Sequence, residues 1–283
     1  MYTAYWNLKA NPFLNAIDRR YLFAGDQHEE AIARLAFLAE SGRLAGALIG
    51  PAGVGKSTVL SHVAAEVEAR YHLPVLRLDA VPGGHLPLVR QILSALKLDA
   101  SAANLPEALL QFRHWADLRP DATPRTVLLI DDAQTIAADP GLHFLRYLAN
   151  LRVPNRKTRA EEPLFTLILA GTPELQPALQ ADPAFAQLIQ IFFRLAPFTD
   201  AQTTAYVQHH MRAVGGDIWS FDRPALEAIW RHSGGLPRRI NLLCDTALML
   251  GFAAQATQVT ETLVEQAARD TSLPVPPPPE YNL

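Results

Sequence analysis

The chain holds 283 residues, 49% of them apolar and 19% charged, with a formal net charge of −3. This bounds a sizeable core plus a smaller domain, and it excludes a polycation that grips nucleic acid over its whole surface. The single cysteine, Cys244, excludes an internal disulfide and reads as a core residue beside Leu242, Leu243 and Ala247. No apolar run approaches the ~20 residues that cross a bilayer. Met1-Tyr2-Thr3-Ala4-Tyr5-Trp6 has neither the basic nor the apolar region of a signal peptide. A cytoplasmic chain is expected.

In chain order, the aromatic and punctuated stretch Tyr5–Phe23 reads as an irregular arm on the body, either as hydrophobic cover or as a wall of a base pocket. Asp26 has the look of a helix N-cap with Glu29 at the capping-box distance. The helix it opens runs to about Glu40 with Ile32, Leu35, Ala36 and Ala39 on one face. Apolar Leu44–Ile49 follows as a short buried strand.

Then comes Gly50-Pro51-Ala52-Gly53-Val54-Gly55-Lys56-Ser57-Thr58, which fits G-x-x-x-x-G-K-[ST] in full. Glycines let the backbone curl so that its N–H groups converge on phosphate oxygens. Lys56 is of a length to reach the β- and γ-phosphates, the Ser57 hydroxyl suits Mg²⁺, and the helix from Lys56 points its positive end at the same anion. A strand before and a helix after make this a nucleoside-triphosphate site rather than a chance turn.

Strand Val75–Asp79 leads through Val81-Pro82-Gly83-Gly84 to helices near Leu86–Leu96 and Pro106–Leu118. Thr126–Ile130 is a second continuous apolar run and ends in Asp131-Asp132. Helix Gly141–Leu151 precedes a polar segment, Arg152–Glu162. Strand Leu164–Ala170 ends at Gly171-Thr172-Pro173-Glu174, and Ile189–Leu195 reads as a further strand. Apolar strands alternating with helices indicate a parallel sheet covered on both faces. From Thr199 only helices remain, near Ala201–Val214, Arg223–His232, Leu236–Phe252 and Glu261–Arg269, so a boundary is placed at Pro197–Thr199. Leu273–Pro279 reads as a polyproline II tail.

Ligands of parallel sheets sit beyond the carboxyl ends of the strands. Asp131 is therefore placed to hold Mg²⁺ together with Ser57, and the carboxylate of the next residue to orient the attacking water. The competing reading is a surface pair of aspartates capping a helix.

The phosphate loop, Tyr5–Phe13, Leu129-Ile130-Asp131-Asp132-Ala133-Gln134, Leu169–Leu175 and Gly234-Gly235-Leu236-Pro237-Arg238-Arg239-Ile240-Asn241-Leu242-Leu243 together resemble the ExeA/GspA-type AAA+ ATPases. The transposition ATPases TniB and TnsC are relatives of that family. The resemblance spans roughly Tyr5 to Arg269. It implies an α/β fold of the AAA+ P-loop NTPase kind, a five-stranded parallel sheet in an αβα sandwich with a C-terminal helical lid. The corresponding domains are an arm over 1–24, a nucleotide-binding core over 25–198, a lid over 199–270 and a tail over 271–283. ATP and Mg²⁺ are the implied cofactors, with sensor roles at Thr172 and Arg238, and the implied assembly is a homo-oligomer, ring or filament. A turn hydroxyl at Thr172 and a surface cation at Arg238 are the simpler alternatives.

Two positions depart from the family pattern. Asp132 stands where a glutamate is usual, one methylene short, and Leu188 falls at the arginine-finger position, with Arg194 six residues on. A finger is worth on the order of 10³–10⁵ in rate, so tight ATP binding with slow hydrolysis is expected, or completion by another subunit's arginine.

Three functions compete: an assembly ATPase of a secretion or envelope system with a protein partner, a DNA-bound transposition regulator, and a nucleotide switch or scaffold. For the second, Arg152, Arg156, Lys157 and Arg159 put four cations in eight residues, suited to duplex phosphates unless they form a solvated loop with Glu161 and Glu162. No base-reading motif accompanies them. The proline-rich tail is either a docking peptide or a plain chain end. His209-His210 has no ligand set at zinc spacing, and Trp115, Trp219 and Trp230 read as core or interface.

Overall fold

The computed structural model describes residues 2–14, 23, 25–82, 85–102, 104–118, 125–136, 141–154 and 161–271. They group into two compact units: one of 28–51 and 56–195, the other of 1–27, 52–55 and the residues from 196 onward. Helix α1 (Tyr2–Tyr5) belongs to the second unit, and α2 (Asp26–Glu40) leads into the first.

In the first unit the order is β1 (Ala45–Ile49), α3 (Lys56–Tyr71), β2 (Val75–Asp79), α4 (His85–Ala95), α5 (Leu105–Asp117), β3 (Thr126–Asp131) and α6 (Gly141–Asn150). There follow β4 (Arg152–Pro154), β5 (Glu161–Pro163), β6 (Phe165–Gly171), α7 (Leu175–Ala181), α8 (Pro183–Ala186) and β7 (Ile189–Arg194). Five strands form one parallel sheet in the order β2-β3-β6-β1-β7. The three central strands are buried at every residue, while edge strands β2 and β7 bury only part of theirs. That is why the inner strands read as unbroken apolar runs, since both faces are covered. Register sets Ile49 beside Gly171 and Arg194, and Asp79 beside Asp131. Every loop that leaves a strand's carboxyl end therefore opens at the same edge. The core beneath carries Phe112, Phe144, Phe165 and Phe185, all fully buried, with Trp115 stacked on Phe165 at 6.0 Å.

Local chemistry sets several ends. The Asn104 side chain accepts from Glu107 N at 3.0 Å and caps α5, with Pro106 in its first turn. Asp182 caps α8 through Ala184 N and Phe185 N and takes both oxygens to Arg146 at 3.1 Å.

Two expectations need correction, and two further points are settled by the structure. The polar segment 152–162 is not all loop: β4 and β5 pair antiparallel, with Arg152 opposite Pro163 and Pro154 opposite Glu161. The pairing extends from buried Leu151 and Leu164, where Leu164 N donates to Leu151 O at 3.0 Å. The run before β7 holds two short helices, α7 and α8, to which the sequence reading assigned no element. Helix α2 includes Asp26, and its buried face is His28, Ala31, Leu35, Ala36, Leu38 and Ala39, leaving Ile32 half-buried. The face is turned so that Leu38 reaches the core. Of the core-or-interface alternatives for Trp219, its 66% exposure leaves the interface.

The second unit is helical: α9 (Asp200–Ala213), α10 (Arg223–Ser233), α11 (Pro237–Ala253) and α12 (Glu261–Asp270). Thr199 and Gln202 form a reciprocal capping box, and Asp222 caps α10 through Ala225 N at 2.7 Å. Trp6, Leu8 and Phe13 of the N-terminal stretch share one core with Phe198, Phe221 and Cys244. The Trp6 indole donates to Leu248 O at 2.9 Å, and the Tyr206 hydroxyl to Asn241 Oδ1 at 2.9 Å. The described part of the arm is thus hydrophobic cover for the helices of this unit. No helix among the described residues is long and apolar enough to cross a membrane. The expected proline-rich tail and the segment Asp18–Leu22 lie outside the described residues.

Candidate functional site

Strand β1 ends at Ile49, and the chain turns through Gly50 and Pro51 before α3 begins at Lys56. Gly53 and Gly55 sit at φ of +82° and +106°, the left-handed region that a side chain would oppose. Lys56 is buried, and its Nζ donates to Gly50 O at 2.9 Å and Pro51 O at 3.1 Å. Burial pushes this ammonium down from its ordinary range, while the carboxylates of Asp131, Asp132 and Glu174 push it back up. Ser57 and Thr58 lie in the first turn of α3, where backbone N–H groups have no acceptor within the helix and suit an anion.

Ser57 Oγ donates to Asp131 Oδ2 at 2.5 Å, so the start of α3, just past β1, meets the end of β3 across the intervening strand β6. Two hard oxygens this close suit Mg²⁺, which takes one or two protein ligands and fills its shell with water and phosphate. Among the described residues, no three His, Cys, Asp or Glu converge on a metal position. Of His209 and His210, His209 is half-buried, while His210 is buried, with Nδ1 2.7 Å from Pro12 O and its ring stacked on Phe13.

Asp132 follows in a left-handed turn at φ +51°, which is uncommon for a residue with a side chain. Its Oδ1 accepts from Gln134 Nε2 at 3.1 Å, and Gln134 Oε1 accepts from Thr172 N at 3.1 Å. The Thr172 hydroxyl donates to the Glu174 carboxylate, which this bond holds below the usual carboxylate range. Thr172 is thus in the site, with its hydroxyl engaged by a neighbour. Gln134 and Glu174 are site residues that the sequence reading did not assign. A glutamine two residues past an aspartate pair signals nothing until β3 and β6 are known to be neighbours.

Ala52–Gly55, the crown of the phosphate loop, groups with the helical unit. Arg238 is the second residue of α11; its N–H donates to Gly53 O at 3.2 Å. Leu188 packs partly buried against the core of the first unit. Arg194 is exposed, and its Nη2 donates to Gln176 Oε1 at 2.7 Å. Of the four expected DNA-contacting cations, Arg152 donates to Ala149 O at 3.3 Å. Arg156, Lys157 and Arg159 lie outside the described residues.

With this geometry in view, a family model described as an AAA domain matches residues 39–179. General secretion pathway protein A of Aeromonas hydrophila is 32% identical over 287 residues, covering 96% of this chain and 49% of that protein. The chain spans about half the length of this curated relative. Among solved structures, the ORC2 protein of Aeropyrum pernix in its ADPNP-ADP complexes is similar at a TM-score of 0.69 and 16% identity, over 93% of this chain and 72% of that one. The ORC1 protein of the same organism, in complex with DNA, gives 0.65 and 16%, over 92% and 68%. At these identities the structures show a shared fold.

Proposed function

This chain belongs to the AAA+ P-loop NTPases and is related to general secretion pathway protein A, and from that premise we propose that it binds ATP with Mg²⁺ and hydrolyses it. The work so driven is an assembly step of a secretion or envelope system, carried out by an oligomer that forms with nucleotide and engages a protein partner. The observation that carries the ATPase reading is the meeting of Ser57 and Asp131 at 2.5 Å beside the Lys56 ammonium. The secretion reading rests on similarity along nearly the whole chain to one half of a secretion protein.

In this reading the backbone of Gly50–Gly55 and the first turn of α3 bind phosphate oxygens, and Lys56 leaves Gly50 O and Pro51 O to meet them. Ser57 and Asp131 hold Mg²⁺, which neutralises charge on the phosphate oxygens. Asp132 orients water for attack, Thr172 lines the same edge of the sheet, and Arg238 reads the nucleotide from the start of α11. Turnover is slow, because Asp132 is short and Leu188 packs inward where a finger would stand.

Steady-state turnover of Mg²⁺·ATP is the test. Failure to bind ATP with Mg²⁺ removes the whole reading, and turnover above about 1 s⁻¹ removes the slow-switch element.

A second reading, a DNA-bound regulator, is favoured by the ribbon β4–β5, whose connection carries three of the four clustered cations. Stimulation of turnover by duplex DNA that fades as salt rises is its expected signature. Turnover that ignores DNA at low salt excludes it.

A further inference from the structure

Resting on the ATPase reading, we infer that Gln134 is a positioning residue that sets the reach of the Asp132 carboxylate toward the attacking water. One amide spans two neighbouring strand ends. Its nitrogen donates to Asp132 Oδ1 beyond β3 at 3.1 Å, and its oxygen accepts from Thr172 N beyond β6 at 3.1 Å. The chemistry fixes this orientation, because a carboxylate only accepts and a backbone N–H only donates.

The surroundings are shaped for the bridge. A Cβ on Gly171 would lie 2.8 Å from Gln134 Oε1 and 2.7 Å from Leu175 Cδ2, so a side chain there would displace the amide. Asp132 is the residue held in the left-handed turn, so its side chain leaves the backbone in a direction that an ordinary strand end would not give. With only one methylene, it cannot search for the water as a glutamate can. The far end of the bridge is itself secured, since Thr172 carries Glu174 on its hydroxyl. A base must sit within hydrogen-bond reach of the water it orients, and a misplacement of about 1 Å costs roughly 10²-fold in rate. Gln134 is the group that fixes that placement.

Two substitutions separate the arms of the bridge. Gln134→Leu removes both hydrogen bonds. Gln134→Glu keeps the acceptor for Thr172 N, loses the donor to Asp132 and sets a second carboxylate against it. When that glutamate is protonated it regains a donor and becomes a near copy of glutamine. Two carboxylates sharing a site keep a proton to higher pH than one alone.

The assay is steady-state kcat from pH 5.5 to 8.5, with the Kd of a fluorescent ATP analogue in Mg²⁺ measured alongside. The expected result is a kcat lowered about 10- to 100-fold in both variants at pH 8, with Kd within about twofold of wild type. On acidification the deficit of Gln134→Glu shrinks, while that of Gln134→Leu stays constant. A kcat within twofold of wild type in Gln134→Leu overturns the inference. So does a rise in Kd that matches the fall in kcat, or the same pH dependence in both variants. A wild type that binds ATP without turning it over overturns the hydrolysis reading itself and this role with it, an outcome distinct from an active wild type with an indifferent Gln134.

Discussion

Gly53→Ala tests whether the crown of the phosphate loop is held in its nucleotide-ready shape by backbone geometry. Gly53 lies at φ +82°, and a Cβ there would stand 3.0 Å from Arg238 Cβ and 3.7 Å from Arg238 Cδ. The nearer atom is fixed to the backbone of α11, whose Arg238 N–H bonds Gly53 O at 3.2 Å. A rotamer change cannot relieve the contact. Holding an L-residue in the left-handed region costs about 1–2 kcal/mol. The loop escapes this cost by leaving the required conformation, so the apparent Kd rises by the inverse of the fraction that remains competent. At about 1.4 kcal/mol per tenfold, ATP affinity should fall roughly 5- to 30-fold. A fluorescent ATP analogue titrated in Mg²⁺ reads this directly, with Ala69→Ser, at an exposed position near the far end of α3, as the control. A Kd for Gly53→Ala within twofold of wild type would refute the reasoning, because it would mean that the left-handed crown is not the binding conformation.

Ser57→Ala should remove only what Mg²⁺ adds. Its hydroxyl meets Asp131 and not the loop, so ATP affinity should fall about tenfold in Mg²⁺ and stay unchanged in EDTA; an equal loss in both would contradict the metal role. His210 gives a pH prediction. Burial lowers this imidazole from its ordinary 6.5 to about 4, so the folded chain keeps it neutral where the unfolded chain would protonate it. Its contribution is complete above pH 6.5 and is lost as pH falls toward 4, about 3 kcal/mol in all at roughly 1.4 kcal/mol per pH unit. Denaturant melts of the helical unit, followed by Trp6 fluorescence, should therefore show acid destabilisation that Gln in place of His210 flattens. An unchanged slope in His210→Gln would assign the effect elsewhere.

The inner strands were readable to within a residue at each end because a parallel sheet hides both faces. An unbroken apolar run followed by Gly50, Asp131 or Gly171 then admits few alternatives. The helices of the second unit were readable from the change of pattern after Thr199, and Thr199, Asp222 and Pro237 set their starts by chemistry that is local. The ribbon β4–β5 was not. Its six residues include two prolines and three charged side chains, against strand propensity, and it forms because buried Leu151 and Leu164 are already paired at its base. Helices α7 and α8 were hidden for the opposite reason. Pro177 and Pro183 look like breakers, yet each sits in a first turn, where proline costs no hydrogen bond.

The same divide runs through the site. Gly50–Thr58 is contiguous, so the sequence alone states what it does to a phosphate. Gln134 and Glu174 act across the junction of β3 and β6, whose adjacency no local pattern announces. Glu174 also changes the electrostatics of the site. One buried ammonium, Lys56, lies in the field of Asp131, Asp132 and Glu174, so the site carries an excess of negative charge before any triphosphate arrives. Lys56 cannot offset a nucleotide and three carboxylates together, and at these separations uncompensated like charges are costly. A divalent cation entering with the nucleotide reverses that balance, using the Ser57 and Asp131 oxygens already gathered for it. It follows that ATP affinity in this chain depends on Mg²⁺ more steeply than the loop motif would suggest, and that Glu174→Gln should weaken that dependence by removing one of the three opposing charges. Titration of ATP at stepped Mg²⁺ concentrations distinguishes the two chains; identical curves would mean that Glu174 stands outside the field the phosphates feel.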